Sequence, residues 1–143
     1  MTEIKLAVQD LCVEFRNAGK TSLAVRDVSF TLGRGKLAIV GESGSGKSTV
    51  GRSLLRLHPP TARVTAKTLR FADVDLLSAS EKQIQAIRGA RMSMIMQDPK
   101  YSLNPVVRVG EQIAEAYLAH HKVPHRQARE RARDPHRHPE SRS

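Results

Sequence analysis

Alternating apolar and polar positions predict strands in the first third of the chain. Apolar side chains recur at nearly every second position in residues 4–15 and again in residues 23–32. A two-residue period places these side chains on one face of a strand. The break in the period at residues 9–10 predicts a bulge, and residues 17–20 predict a turn that joins the two strands as a hairpin. The apolar run 37–40 predicts a third, short and buried strand.

Helical spacing of apolar residues predicts two longer helices. This spacing is present in residues 48–57 and in residues 109–120. Pro59 and Pro60 follow the first of these segments. Neither can continue a helix, because proline lacks a main-chain N–H and its ring collides with the preceding turn. We therefore expect the first helix to end before Pro59.

The region between these two helices predicts several short elements. Residues 64–71 and 92–96 are apolar enough to form strands. Ser78, with Glu81 three residues later, predicts the capping box of a short helix that ends near Gly89. The order of elements predicts an α/β fold with an antiparallel β subdomain near the N-terminus.

Composition indicates a small core and an uneven positive charge. Hydrophobic residues make up 39% of the 143 residues and aromatic residues 3%, and the net charge is +10. Because few aromatic side chains are available to stack on bases, and no nucleic-acid-binding motif is present, we do not expect nucleic-acid binding. The single cysteine, Cys12, lies in an apolar run and is expected to be a buried small hydrophobe.

The composition changes abruptly near residue 126. From there to residue 143 no apolar side chain is larger than that of alanine, and Arg, His, Pro, Glu and Ser dominate. Such a segment cannot bury enough apolar surface to fold. We therefore expect a domain over residues 1–125 and a basic, disordered tail over residues 126–143. Five of the six histidines lie at or beyond His120, but their spacing favours a solvated tail over a metal site.

The most specific motif is a glycine-rich stretch of nine residues. The pattern Gly-x4-Gly-Lys-Ser/Thr of phosphate-binding loops is matched by Gly41, Glu42, Ser43, Gly44, Ser45, Gly46, Lys47, Ser48 and Thr49. Glycines let the main-chain N–H groups turn towards an anion, Lys47 can reach the β- and γ-phosphates, and the Ser48 hydroxyl can bind Mg²⁺. The alternative is an ordinary turn between a strand and a helix. The flanking strand and helix favour phosphate binding.

Together with three other features, this motif resembles the ATP-binding subunits of ABC transporters, in particular those of oligopeptide, dipeptide and nickel importers. The resemblance covers residues 4–131. The other features are the paired strands ending at Phe15, Arg88-Gly89 followed by Met-Ile-Met-Gln-Asp-Pro, and Ser-Leu-Asn-Pro followed by Val-Gly-Glu-Gln-Ile. The glycine-rich motif alone is shared by many nucleotide-binding proteins, whereas its combination with the Gln-Asp-Pro segment is much more specific.

The resemblance implies roles for two residues outside the glycine-rich motif. Phe15 stands where the family places an aromatic ring against adenine, and stacking needs only a π face. The alternative for Phe15 is a core residue at the end of a strand. Gln97 matches a glutamine that helps bind Mg²⁺ and position water, and its alternative is a polar residue at a strand end. Lys47 and Gln97 are thus the implied catalytic residues, Ser48 and Gln97 the implied metal ligands, and ATP and Mg²⁺ the implied cofactors.

The resemblance also implies a fold and a cellular setting. The fold is that of a P-loop NTPase of the ABC type. The implied partners are transmembrane permease subunits, a second ATP-binding subunit and, indirectly, a periplasmic or extracellular solute-binding protein. The sequence has no apolar run of about 18 residues that could span a bilayer, so the implied location is peripheral, on the cytoplasmic face of the membrane. The implied function is to couple ATP binding and hydrolysis to uptake of peptides or a nickel complex.

Several motifs of the family are not found among the 143 residues. The sequence contains no Ser-Gly-Gly-Gln signature, no apolar strand ending in Asp-Glu and no switch histidine after such a strand. Asp98 follows an apolar run but belongs to the Gln-Asp-Pro segment, so we do not assign it as a catalytic base. We therefore interpret the chain as the first half of a cassette, truncated or frameshifted near residues 131–134, with strands of the central sheet missing. We expect weak Mg-ATP binding and negligible turnover.

Two alternatives from other functional classes stay open. One is a non-hydrolysing half-cassette that only binds nucleotide or a membrane subunit. The other is a different P-loop enzyme, such as a small kinase, which would need a lid and extra arginines around the γ-phosphate. Because the arginines cluster in the tail that prolines interrupt, the sequence favours the transporter subunit over the kinase.

Overall fold

The computed structural model of the protein describes residues 4–96 and 103–133. The chain divides into two compact units, one ending at Met92 and one beginning at Ser93. Within the described residues the first unit contains five strands and two helices, and the second contains two helices. No helix in these ranges is long and apolar enough to cross a bilayer.

The two longest strands form the predicted hairpin. β1 (Leu6–Asn17) and β2 (Lys20–Leu32) pair in antiparallel fashion along their length. The turn between them consists of Ala18 and Gly19, whose φ angles are 46° and 78°. A two-residue turn with positive φ at both positions matches the right-handed twist of paired strands. The predicted turn at residues 17–20 is therefore confirmed.

The predicted bulge in β1 is also present. The register between β1 and β2 shifts between Val8 and Leu11, and Asp10 lies in the left-handed region with a φ of 54°. Its main-chain N–H donates to the Ser29 hydroxyl at 2.8 Å, which replaces a ladder hydrogen bond lost at the bulge.

Three short strands complete the sheet. They are β3 (Ala62–Thr65), β4 (Thr68–Phe71) and β5 (Val74–Asp75). The sheet order is β2-β1-β4-β5, with β3 also paired to β1, and all of these pairings are antiparallel. The single strand predicted over residues 64–71 is therefore two strands, both of which pair with β1.

Two helices pack beside this sheet and close its core. α1 (Lys47–Leu54) ends three residues earlier than predicted, and Arg56 just beyond it has a φ of 52°. α2 (Glu81–Ile87) is a shorter helix. The buried core cluster draws on the sheet, on both helices and on the segment before α2, and it comprises Leu6, Val8, Leu11, Val13, Val25, Val50, Leu69, Leu76, Ala79, Ile84 and Ile87.

The capping box of α2 lies two residues later than predicted. Ser80 accepts from the main-chain N–H of Gln83, and Gln83 accepts from the main-chain N–H of Ser80 at 2.9 Å. The predicted cap, Ser78, instead lies in a turn in which its N–H and that of Leu77 donate to the Asp75 carboxylate. The prediction was wrong because two serines precede the helix and the turn after β5 uses the first of them.

Two predicted strands, 37–40 and 92–96, do not form. Residues 37–40 have no regular structure, and Val40 is 91% exposed. In the second segment Met92 makes only an isolated bridge with Arg88. An apolar run becomes a strand only when a neighbouring strand satisfies its main-chain groups, and β1 to β5 pair with one another instead.

The environment of Cys12 also differs from the prediction. The thiol is half-buried, and its Sγ lies 3.3 Å from the Asp27 carboxylate, to which it donates. The main-chain N–H of Asp27 donates back to the sulfur, also at 3.3 Å. Cys12 is therefore a polar contact across the hairpin, not a buried hydrophobe.

The second unit contains a pair of helices, α3 (Val109–Leu118) and α4 (His125–Arg133). Ala114 of α3 and Ala128 of α4 are fully buried. Glu111 of α3 lies 2.6 Å from the Arg129 guanidinium and 3.5 Å from His125 Nε2. The chain from residue 126 was expected to be disordered, but residues 125–133 are helical. Alanine is the best helix former, and a neighbouring helix lets it pack. Residues 134–143 lie outside the described residues.

Candidate functional site

The glycine-rich motif forms a loop that leads directly into α1. Gly44 and Gly46 have φ angles of 80° and 90°, a region that other residues adopt only with strain. Gly46 is also packed tightly, because a Cβ added there would lie 2.5 Å from the Ala24 carbonyl oxygen of β2. The glycines thus let the loop curl and bring it close to the main chain of β2.

Lys47 lies across this loop. Its ammonium donates to the carbonyl oxygens of Gly41 at 2.7 Å and Glu42 at 2.5 Å, and to the Ser45 hydroxyl at 3.3 Å. An ammonium has three donors, so these three bonds satisfy it. The positive charge is held by the loop in which an anion would be bound, and it can exchange the weaker contact for a phosphate oxygen.

The start of α1 adds further donors. The first N–H groups of a helix have no acceptor within the helix, and here they belong to Lys47, Ser48 and Thr49. The helix dipole places partial positive charge at this end. Ser48 is exposed on the first turn, where its hydroxyl oxygen is free to face a metal ion bound to phosphate.

The first half of the loop is exposed, and a main-chain hydrogen bond within the loop stabilises it. The N–H of Ser45 donates to the Glu42 carbonyl oxygen at 3.3 Å, which closes a turn around Ser43. A Cβ on Gly41 would lie 2.7 Å from the Ser45 hydroxyl oxygen, so a side chain there would displace that hydroxyl. The nine residues of the predicted phosphate loop therefore form a loop, residues 41–46, and the first turn of α1, residues 47–49.

A cavity of about 390 Å³ adjoins the loop. Gly41, Ser45 and Lys47 line one side of it, but Val28 and Ile39 are among the residues of its other walls. Aliphatic side chains offer no donors to a phosphate. Arg26 also lines the cavity, which therefore has both polar and aliphatic walls.

Phe15, the predicted adenine-stacking residue, lies near the end of β1. It pairs with Ser22 of β2 and with Ala62 of β3, and its half-buried ring packs against the core. The ring also meets the His58 ring in an edge-to-face arrangement, with centroids 6.0 Å apart and planes 77° apart. Stacking on adenine stays a prediction.

His58 and Ser53 were not singled out from the sequence. His58 Nε2 lies 2.9 Å from the Ser53 hydroxyl, and Ser53 is almost completely buried in α1. Burial lowers the pKa of His58 below its ordinary value of 6.5, and the positive charge of Arg52 adds to this effect. The imidazole is therefore neutral at pH 7. No periodicity marks this histidine, which precedes two prolines in a loop.

Two arginines also join α1 to α2, and the sequence assigned no role to either. The Arg88 guanidinium, at the end of α2, donates to the main-chain carbonyls of Leu55 and Arg56. It also forms an ion pair with Glu81 at 2.7 Å. Arg56 in turn donates to the Ala79 carbonyl at 2.6 Å, just before α2. These contacts hold the C-terminal end of the helix that carries Lys47.

The remaining predicted site residue, Gln97, lies outside the described residues, as does Asp98. The structure therefore places neither of them relative to the loop. Among residues 4–96 and 103–133 no cluster of three or more His, Cys, Asp and Glu is arranged to hold a metal ion.

Comparison with known proteins identifies the family. The family model described as ABC transporter matches residues 25–141, which is most of the chain and includes the whole glycine-rich loop. The chain belongs to the ABC transporter family. The fold is accordingly a P-loop NTPase fragment with an antiparallel sheet, and the resemblance inferred from the sequence is confirmed.

Similar curated proteins are ATP-binding proteins of peptide transport. The chain is 48% identical over 126 residues to the dipeptide transport ATP-binding protein DppD of Bacillus subtilis, covering 87% of the chain. It is 43% identical over 129 residues to the oligopeptide transport ATP-binding protein OppD of the same organism, covering 89%. It is 44% identical over 128 residues to a putative peptide import ATP-binding protein of Brucella melitensis, again covering 89%.

The chain spans only part of these relatives. The matched region covers 38% of the Bacillus subtilis dipeptide protein, 36% of the oligopeptide protein and 39% of the Brucella melitensis protein. The chain is therefore related to peptide import ATP-binding proteins over less than half of their length.

Proposed function

We propose that the chain forms the phosphate-binding part of the ATP-binding subunit of an ABC importer for peptides. The observation that carries this proposal is the position of Lys47, whose ammonium is held over a glycine loop at the start of α1. The relatives support the peptide class, since their names refer to dipeptide, oligopeptide and peptide transport. A nickel complex, the other solute implied by the sequence, has no counterpart in those names.

The residues present fit a triphosphate with its metal ion. Lys47 and the N–H groups of the first turn of α1 would hold the β- and γ-phosphates. In a complete subunit they would also stabilise the charge that develops during attack by water. Ser48 and Gln97 would hold Mg²⁺, which neutralises charge on the phosphate oxygens when bound. Phe15 would stack on adenine and so orient the nucleotide.

The proposed setting follows from the family. The subunit would bind transmembrane permease subunits on the cytoplasmic face of the membrane. A second ATP-binding subunit would share the nucleotides, and a solute-binding protein outside the cell would deliver the peptide. The domain over residues 1–125 would provide the nucleotide site, and the basic segment that follows has no proposed role in it.

For the 143-residue chain we propose weak Mg-ATP binding without turnover. The signature Ser-Gly-Gly-Gln, the Asp-Glu strand end and the switch histidine are absent from these residues. By resemblance to the family, the strand ending in Asp-Glu would supply a second Mg²⁺-binding carboxylate and the catalytic base. The phosphate loop and the contact with adenine would be sufficient for Mg-ATP binding.

Binding and phosphate release, measured together, test this proposal. Lys47→Ala removes the charge-assisted contact to phosphate and is expected to weaken Mg-ATP binding roughly 10- to 100-fold. Lys36→Ala, an exposed lysine before the loop, is the matched control and should leave the affinity unchanged. Failure of the wild-type chain to bind Mg-ATP, or an equal loss in both variants, would contradict the proposal.

The same assays separate the alternatives. Phosphate release that Lys47→Ala abolishes would show that the chain hydrolyses ATP and would overturn the expected lack of turnover. Capture of permease subunits that is insensitive to Lys47→Ala, without nucleotide binding, would favour a half-cassette with a docking role. Transfer of phosphate to an acceptor would favour a kinase.

A further inference from the structure

Phe15 is held by one specific aromatic contact. The edge-to-face arrangement with His58, at 6.0 Å between centroids, is one of the favoured geometries of aromatic pairs. The ring of Phe15 is only half-buried, so the core alone leaves part of it uncovered. Among the described residues, His58 supplies the aromatic ring that contacts Phe15.

His58 is in turn held by α1. The Ser53 hydroxyl donates to the main-chain carbonyl of Thr49 at 2.9 Å, and its single proton is used in that bond. The contact of 2.9 Å between the Ser53 oxygen and His58 Nε2 then requires His58 to donate from Nε2. This leaves Nδ1 without a proton, which agrees with its burial without a hydrogen-bond partner among the described residues.

The segment that carries His58 is also fixed against β1. The main-chain N–H of Arg16 donates to the Thr61 carbonyl at 3.0 Å, and the N–H of Ala62 donates to the Pro59 carbonyl at 2.9 Å. Ala62 then pairs directly with Phe15. The histidine ring thus has little freedom to turn away from Phe15 while its Nε2 remains bound to Ser53.

We propose that His58 is a positioning residue that sets the orientation of the Phe15 ring relative to the phosphate loop. The contacts run from Phe15 to His58, from His58 to Ser53, and from Ser53 to Thr49, the last residue of the glycine-rich motif. This inference rests on the proposed function, since it assumes that Phe15 stacks on adenine while the loop holds the phosphates. It adds that His58 links the position of the adenine-stacking ring to the position of the phosphate loop.

Two ligands separate this role from a purely structural one. Mg-ATP uses both the ring and the loop, whereas Mg-tripolyphosphate uses the loop alone. Titration of the 143-residue chain with each ligand, followed by NMR, gives both affinities. His58→Ala is expected to weaken Mg-ATP binding about three- to tenfold, comparable to Phe15→Ala, and to leave Mg-tripolyphosphate binding unchanged. In a chain that already carries Phe15→Ala, adding His58→Ala should not weaken Mg-ATP binding further.

A second variant guards against loss of fold. His58→Phe keeps an aromatic edge against Phe15 but loses the hydrogen bond to Ser53, and it should retain more Mg-ATP affinity than His58→Ala. Equal weakening of both ligands by His58→Ala, or weakening that persists in the Phe15→Ala chain, would overturn the inference. A wild-type chain that binds neither ligand would overturn the proposed function and this inference with it. Unchanged Mg-ATP binding in His58→Ala would overturn the inference alone.

Discussion

The guanidinium of Arg88 donates from Nε to the main-chain carbonyl oxygen of Leu55 at a distance of 2.8 Å. Leu55 is the C-cap residue directly after α1, so no N–H of that helix donates to its carbonyl oxygen. A cation at this position also interacts favourably with the negative end of the helix dipole. The contact joins two residues that are far apart in the sequence and fixes the end of the helix that begins at Lys47.

Arg88→Ala is expected to lower the free energy of unfolding by about 1–3 kcal/mol, because it removes hydrogen bonds from a charged donor to carbonyls. Chemical denaturation followed by circular dichroism would measure the change. Arg88→Lys should recover only part of it, since an ammonium cannot reproduce the planar donors of a guanidinium. Lys82→Ala, an exposed position of α2, is the control. An effect of Arg88→Ala no larger than that of the control would contradict the assigned contact.

Two glycines of the phosphate loop should respond differently to alanine. Gly46→Ala places a Cβ 2.5 Å from the Ala24 carbonyl oxygen at a φ of 90°, so strain and collision add. We expect it to destabilise the chain by about 3 kcal/mol. Gly44→Ala has a similar φ of 80° but no atom within 4 Å of the added Cβ, and should cost about 1 kcal/mol. Equal thermal unfolding of the two variants would refute the close packing of Gly46 on β2.

The lowered pKa of His58 predicts a loss of stability in acid. Well above pH 6.5 the imidazole is neutral in both the folded and the unfolded chain. As the pH falls below 6.5, the unfolded chain takes up the proton first, and the free energy of unfolding decreases until the pH passes the lowered pKa of the folded chain. Urea unfolding from pH 7.5 to 5 should show this decrease.

The contribution of His58 to that pH dependence can be isolated by substitution. His58→Gln should flatten the pH dependence below 6.5, since glutamine does not titrate. If the free energy of unfolding falls equally with pH in the wild-type chain and in His58→Gln, His58 is not the source of the pH dependence.

Ser80→Ala should destabilise α2, whereas Ser78→Ala should not. Loss of an N-cap serine costs about 1 kcal/mol, because the main-chain N–H of Gln83 loses its acceptor. Alanine also removes the bond that the Ser80 hydroxyl donates to the Gln83 side-chain oxygen at 2.9 Å. Ser78 uses only its main-chain N–H in the turn at Asp75, and an alanine keeps that group. Thermal unfolding of the two variants would measure the difference, and the reverse order would restore the cap predicted from the sequence.

Glu111 is expected to hold α4 against α3. Glu111→Gln weakens the contacts with Arg129 and His125, which lie 2.6 and 3.5 Å away, and should reduce hydrogen-exchange protection in α4. The change is expected to be about 0.5–1 kcal/mol, because the pair is partly exposed. Disruption of the pair between Arg126 and Glu130 by Arg126→Ala is the control, since Arg126 is 92% exposed. No change in protection for Glu111→Gln would contradict the pairing.

The hairpin and the phosphate loop could be predicted because their signals are local. Alternation along β1 and β2, a break at residues 9–10 and a turn at residues 17–20 all depend on neighbouring residues. The glycine loop likewise needs consecutive residues with the right conformational freedom, and Gly44 and Gly46 adopt the positive φ angles that only glycine adopts easily. In this part of the chain, local preference and the final fold agree.

Except for the cap of α2, the failed predictions concern features that need a distant partner. The run 37–40 has the composition of a strand but does not pair with a neighbouring strand. Helix α4 has little apolar surface, yet its Arg129 pairs with Glu111 of α3 and its Ala128 is buried. The helix cap moved from Ser78 to Ser80 because the turn after β5 had already engaged Ser78.

The sequence by itself determined the family of this protein and the conformation of its glycine-rich loop, because both are encoded in short runs of neighbouring residues. Tertiary structure decided which distant residues contact Phe15 and the helix that follows the loop. It placed His58 against Phe15 and Arg88 against the end of α1, contacts between residues 43 and 33 positions apart. No local pattern encodes such pairs, because their energy comes from packing and hydrogen bonds that exist only once the chain has folded.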